Sequence, residues 1–151
     1  MSIEITSADP RSPEALALLQ ASHDLMNSLY PPEHNHYLSV DELCIPSIHF
    51  VVARLNGEAK GCAALSDQTT YGELKSMFVA PETRGSGLGA ALMDHLESVA
   101  RASGLAAIKL ETGDTLDAAH RLYARHGFVI CGPFGAYVEG PHSVFMEKQL
   151  A

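Results

Sequence analysis

Arg84-Gly85-Ser86-Gly87-Leu88-Gly89-Ala90 is the stretch that decides how this chain folds. It follows an apolar run, Tyr71 to Val79, and opens a second run, Leu88 to Ser103. In the second run Leu88, Ala91, Leu92, Leu96 and Val99 fall at helical spacing. Glycines between a strand and a helix allow backbone angles closed to other residues, and let amides approach an anion closely. The first turn of the helix adds unpaired N–H donors and a partial positive charge. Strand, glycine loop and helix therefore form a phosphate-binding device, to which Arg84 can add a charge-assisted contact.

Two phosphate ligands fit this loop poorly. A P-loop ends in Gly-Lys-Ser/Thr, whereas this loop ends in Gly89-Ala90-Ala91. Gly85-x-Gly87-x-x-Ala90 matches a permissive dinucleotide fingerprint, and Glu111 stands about where a ribose-binding acid would. Yet too few residues follow Glu111 to complete that fold. Pro81 to Arg84 also separate the strand from the glycines, where the dinucleotide turn is tight.

Outward from the loop, the chain reads as alternating strands and helices. Ile3 to Thr6 is a short strand. Ser12-Pro13-Glu14 starts a helix with a capping hydroxyl, a first-turn proline and an acid at the positive end. Leu16, Leu19, His23, Met26 and Leu29 or Tyr30 continue it until Pro31-Pro32. Glu33 to Pro46 is irregular or holds a short second helix. Ile48 to Leu55 and Glu58 to Leu65 are strands joined at Asn56-Gly57, a tight hairpin signal. Tyr71 to Val79 is the third long strand. Gly104 stands where a helix-ending glycine belongs, Leu105 to Leu110 is a strand, and Leu116 to His126 is a helix closed by Gly127. Phe128 to Cys131 and Ser143 to Lys148 are the last strands. The expected fold is one mixed α/β domain over 1–151, built around a single sheet.

Three segments together resemble the GNAT superfamily, the GCN5-related N-acetyltransferases. Arg84-x-x-Gly87-x-Gly89 is similar to its Arg/Gln-x-x-Gly-x-Gly/Ala signature. Glu73 to Val79 resembles its fourth strand, and Leu105 to Glu111 its fifth. Ala119-His120-Arg121-Leu122-Tyr123-Ala124-Arg125-His126-Gly127-Phe128 resembles its Ala-x-x-Leu-Tyr-x-x-x-Gly-Phe helix and strand. Leu110 to Gly113 and Pro133 to Tyr137 resemble a bacterial subgroup of small domains. The resemblance implies a central, mostly antiparallel sheet with one splayed strand pair and helices on both faces. It implies acetyl-CoA as co-substrate, without a metal, and transfer of the acetyl group to a primary amine by direct attack in a ternary complex. A small-molecule amine is the expected acceptor. A peptide or protein acceptor, or a non-catalytic acyl-CoA-binding module, stands as the alternative.

The resemblance also implies site residues. Met77, Phe78 and Val79 would pair their backbone with the pantetheine arm and acetyl carbonyl, although as side chains alone they read as core. Arg84, Gly85, Ser86, Gly87, Leu88, Gly89 and Ala90 would hold the pyrophosphate. Tyr123 would supply a proton or hydrogen bond to the departing sulfur, and otherwise reads as a tyrosine packed on the sheet. Glu73 would accept the amine proton, directly or through water. It shares a strand face with Lys75, and an ion pair between the two accounts for it equally well. Leu116 stands where many relatives carry a coenzyme-contacting Asn. The acceptor pocket is expected from the first helix, the 33–46 segment and the C-terminal loop, with Tyr30, His34, Phe134 and Tyr137 as substrate-binding candidates beside Glu33 and His36.

Composition agrees with an enzyme domain. Apolar residues make up 46% of the chain, enough for a packed core. A net charge of -8 disfavours nucleic acid as a partner. No apolar run reaches the roughly 18 residues of a membrane span, and Met1 to Pro10 carries Glu4 and Asp9 rather than a secretory signal. Cys44, Cys62 and Cys131 are isolated and odd in number, which suits a reducing cytoplasm and no disulfide framework. His34-x-His36 with Glu33 lies in no recognisable ligand set, so no metal site is expected. His95 and His120 read as ordinary helix residues. Family members often form dimers, so a homodimer is a further expectation.

Overall fold

The computed structural model describes residues 2–150. Seven strands form one sheet: β1 (Ile3–Ser7), β2 (Ile48–Leu55), β3 (Glu58–Asp67), β4 (Tyr71–Val79), β5 (Ala107–Gly113), β6 (Val129–Cys131) and β7 (Ser143–Gln149). Their spatial order is β1-β2-β3-β4-β5-β7-β6. All neighbours are antiparallel except β4 and β5. The helices are α1 (Pro13–Leu29), α2 (Val40–Leu43), α3 (Leu88–Ala102) and α4 (Asp117–Arg125).

Strand alternation divides the core between two faces. Val51, Ala53, Ala63 and Leu65 pack with Leu88, Leu92, Met93 and Leu96 of α3. Phe50, Val52, Cys62 and Ala64 pack with Ala15, Leu18 and Leu19 of α1 and Leu43 of α2. The Asn56-Gly57 turn has positive φ at both positions, +52° and +87°, as the hairpin signal requires.

Helix α1 departs from expectation in its facing. The Ser12 hydroxyl caps it by accepting from the Ala15 amide at 3.3 Å, and Pro13 opens it. Ala15, Leu18 and Leu19 are its buried residues, while Leu16 and Leu29 are 42% and 45% exposed. Only the N-terminal half lies on the sheet. Ser22, Leu25, Met26 and Leu29 line a cavity, although Leu25 also packs against the core beneath α1.

The feature that creates the cavity is the parting of β4 from β5. Their parallel pairing runs from Tyr71–Ala107 to Leu74–Leu110 and stops there. Immediately afterwards the register of β4 with β3 shifts between Cys62 and Ala64, a bulge at Ser76 and Met77. Ser76 takes a left-handed φ of +54°, which costs a non-glycine residue about 1–2 kcal/mol. The Cys62 thiol donates to the Ser76 carbonyl at 3.3 Å and helps hold the bulge. Lys75 to Val79 therefore keep β3 as a partner on one side and leave the β5 side open.

Candidate active site

A cavity of about 930 Å³ occupies the gap between β4 and β5. Its two ends are built differently.

One end is the glycine loop. Pro81 to Thr83 form a short 3-10 turn, closed by the Thr83 hydroxyl on the Ala80 carbonyl at 2.8 Å. Gly85 and Gly87 then take φ of +82° and +95°, angles that strain any residue with a Cβ. Gly87 caps α3, and Ala91 is the first residue of the helix to donate back, to the Gly87 carbonyl at 3.0 Å. The amides of Leu88, Gly89 and Ala90 are thus left without an intrahelical acceptor. Arg84, Arg121 and Arg125 also line the cavity. Ser86 is the one residue of the loop that does not line the cavity; its buried hydroxyl has no protein partner. Free amides and guanidinium groups form a donor set that fits a pyrophosphate.

The middle of the cavity is the open edge of β4, with Ser76, Met77, Phe78 and Val79 along it. The Ser76 hydroxyl is likewise buried and unpartnered. Tyr123 faces it from α4, with its ring against Phe128, centroids 6.0 Å apart. Tyr123 is 5% exposed and lines the cavity. Burial, with a smaller contribution from Glu111, raises its pKa well above the usual tyrosine value. It is held as a neutral phenol, able to donate a hydrogen bond. Leu116 sits at the N-cap of α4 and lines the cavity with an aliphatic side chain, so the side-chain amide that an Asn would offer a ligand has no counterpart there.

The other end is lined by Glu111, Lys75, His36, Tyr37 and the second half of α1. Glu111 is half-buried at the end of β5, where its carboxylate accepts from Ser143 at 2.9 Å. Desolvation raises its pKa, opposed by the Ser143 hydrogen bond and by the charges of His36 and Lys75.

Glu73 stands differently. Its Oε2 accepts from the Tyr137 hydroxyl at 2.5 Å and lies 3.4 Å from the Lys75 ammonium. Lys75 also donates to Tyr137 at 2.7 Å and to the His36 carbonyl at 2.8 Å. Glu73 is not among the cavity-lining residues. The alternation of β4 does bring Glu73 and Lys75 to one face, but into an ion pair that ties the C-terminal loop to the segment around His36.

The other acceptor candidates are structural in the same sense. Tyr30 is 4% exposed. Its hydroxyl contacts the Thr115 hydroxyl at 2.5 Å and accepts from the Thr115 amide at 3.1 Å. It presses so closely on Gly113 that a Cβ there would lie 2.2 Å from the Tyr30 oxygen. His34 tilts against His142 at 5.2 Å, and its buried Nδ1 has no partner. Phe134 packs edge-on against Tyr71, Tyr137 and Phe145. None of these, nor Tyr137, lines the cavity. His36 does. His95 pairs with His49 at 3.2 Å, and His120 with the Gly113 carbonyl at 2.8 Å, both away from the gap. No group of three His, Cys, Asp or Glu among the described residues could hold a metal.

The wall from the first helix is where the sequence places it, whereas Glu111 is a cavity-lining carboxylate that the sequence does not single out for this site. The available signal was positional. Pairing Leu110 with Leu74 sets Glu111 beside Lys75 where the two strands part, on the face opposite the apolar Leu110.

A seven-stranded mixed sheet that opens beside a glycine-capped helix is the architecture of acyl-CoA-dependent transferases, and the comparisons agree. The model of the acetyltransferase (GNAT) family matches residues 19–128. An IAA acetyltransferase of Azospirillum brasilense is 41% identical over 150 residues, 98% of each chain. A Klebsiella pneumoniae structure assigned as an acyl-CoA N-acyltransferase superposes with a TM-score of 0.82 at 32% identity, over 99% of this chain and 98% of that one. A GNAT acetyltransferase of Elizabethkingia anophelis, solved with acetyl-CoA bound, shares the fold at a TM-score of 0.72 and 20% identity, covering 98% of each chain. This chain belongs to the GNAT family of N-acetyltransferases. It is an enzyme, and its donor by family is acetyl-CoA.

Proposed function

We propose that this enzyme acetylates the primary amine of a small molecule by direct attack within a ternary complex, in the cytoplasm. One observation carries the reading: a single cavity joins the glycine-loop donor set, the open edge of β4, the neutral Tyr123 phenol and the Glu111 carboxylate. The coenzyme supplies a thioester activated toward amines. Everything else falls to the chain.

The loop amides and Arg84 hold the pyrophosphate. The unpaired backbone of Met77, Phe78 and Val79 receives the pantetheine arm, and the Val79 amide polarises the acetyl carbonyl. An alkyl ammonium has a pKa of about 10, so it must lose a proton before it can attack. Glu111 is the base that this geometry favours over Glu73: it faces the cavity and its pKa is raised toward the working range. Glu73 instead fixes Lys75 and Tyr137. Tyr123 gives its hydrogen bond to the departing sulfur, and its raised pKa makes a hydrogen bond, rather than full proton transfer, the economical form of that help.

The test is release of coenzyme A from acetyl-CoA across a panel of amino acids, polyamines, aminoglycosides, arylalkylamines and short peptides. Amine-dependent release with mass-verified acetylamine is the expected result. Tight acetyl-CoA binding with no release by any amine would remove the small-molecule acceptor.

A further inference from the structure

Two segments flanking the acceptor end share a compositional property, and only the first contributes residues to the cavity lining. Ser12 to Ala53, which includes α1 and α2, contains no Lys or Arg, and neither does His126 to Glu147. Those segments carry Glu14, Asp24, Glu33, Asp41, Glu42, Glu139 and Glu147, none of which lines the cavity. The guanidinium groups lining the cavity belong to Arg84 of the glycine loop and to Arg121 and Arg125 of α4.

Lys75 is the ammonium that reaches the acceptor end, and it is already engaged. Its contacts are the Tyr137 hydroxyl at 2.7 Å, the His36 carbonyl at 2.8 Å and the Glu73 carboxylate at 3.4 Å. Two of its three donors are spent in hydrogen bonds to protein oxygens. Its charge is matched by Glu73, which leaves the Glu111 carboxylate as the unmatched charge. The His36 imidazole also lines this end, and any charge that it gains falls beside Glu111.

The wall facing Glu111 is apolar. Leu25, Met26 and Leu29 of α1 line it, with Tyr37 stacked on His23 at 4.0 Å. Leu29 and Tyr37 remain 45% and 38% exposed, large apolar surface left for a ligand to cover.

We infer that the acceptor is a monocationic amine with an apolar or aromatic body and no carboxylate. This rests on the transferase reading above and names its substrate class. An acceptor carboxylate would lose its water at this end and meet only an ammonium already neutralised by Glu73 and held by two hydrogen bonds. A polyamine would leave its further charges against Leu25, Met26 and Leu29. An apolar body covers that wall while the ammonium meets Glu111.

The experiment titrates phenethylamine, L-phenylalanine and spermidine into the full-length protein saturated with coenzyme A, by calorimetry. Phenethylamine is expected to bind at least about tenfold more tightly than phenylalanine, from which it differs only by the carboxylate. Leu29→Arg places a cation on the exposed apolar wall and is expected to narrow that ratio by about threefold. Equal or tighter binding of phenylalanine, tighter binding of spermidine, or no binding of phenethylamine at millimolar concentration would each overturn the inference. Acetyl transfer to the same amines is measured separately. Binding in the predicted order without transfer would remove the catalytic reading and leave the substrate class standing.

Discussion

The donor end of the cavity is built on the backbone of one loop, with guanidinium groups beside it, and the acceptor end on side chains. At the donor end, positive-φ glycines and the free amides of α3 come from a continuous segment, Arg84 to Ala90. At the acceptor end, Glu111 depends on Ser143, Lys75 on Glu73 and Tyr137, and the apolar wall on the second half of α1. A site assembled from one segment binds the same group whatever happens elsewhere. A site assembled from four segments can change its ligand by changing any of them. That difference explains how one family can keep its coenzyme while varying its amine.

Substitutions at the two ends should therefore separate. The largest effect is expected from Gly87→Glu, which combines a strained φ of +95° with a carboxylate at the phosphate cradle. Acetyl-CoA affinity should fall by about 100-fold or more in a folded protein, read by calorimetry and circular dichroism. Unchanged affinity would break the donor side of the comparison.

Next is Glu111→Gln. The kcat should fall by about 100-fold with acetyl-CoA affinity intact, while Glu73→Gln costs less. The same variant has a stability signature. Burial raises the folded-state pKa of Glu111, so ionisation costs stability as pH rises through that value. Gln removes the ionisation and should leave Tm at pH 8 equal to or above the parent's.

Tyr123→Phe should lower kcat by about tenfold with little change in coenzyme affinity. Equal turnover would take Tyr123 out of the chemistry. Tyr137→Phe removes two hydrogen bonds to the Glu73–Lys75 pair and should cost about 1–3 kcal/mol of stability while raising the KM for amine. The smallest effect concerns labelling. Burial pushes the Cys62 thiol up to about 12, so at pH 8 it should stay unmodified in the native protein while Cys44 and Cys131 react.

The same division governs what the sequence discloses. Asn56-Gly57, Ser12-Pro13 and the glycine loop each act within a few residues, and their structures follow from their own backbone preferences. The Tyr123 helix is equally local. Ser76 shows the limit: its left-handed φ is imposed by the bulge against β3 and has no counterpart in residue type. Glu111 and Ser143 meet across β5 and β7, and Tyr137 reaches Glu73 from 64 residues away. Tyr30 and Phe134 look like ligand-binding aromatics in the sequence because their packing partners, Gly113 and Phe145, are distant in the chain. The α1 stripe serves two purposes that its spacing does not separate, since Leu25 packs on the core while Met26 and Leu29 line the cavity.

The most direct test of the account is the pH dependence of kcat/KM for amine acetylation by the parent protein, Glu111→Gln and Glu73→Gln. The account predicts that the parent's activity rises with pH through a limb above the ordinary glutamate value of about 4.3. It predicts that Glu111→Gln loses this limb with most of the activity, and that Glu73→Gln keeps it. Loss of the limb in Glu73→Gln, with Glu111→Gln behaving as the parent, would contradict the assignment of the base and with it the reading of the acceptor end.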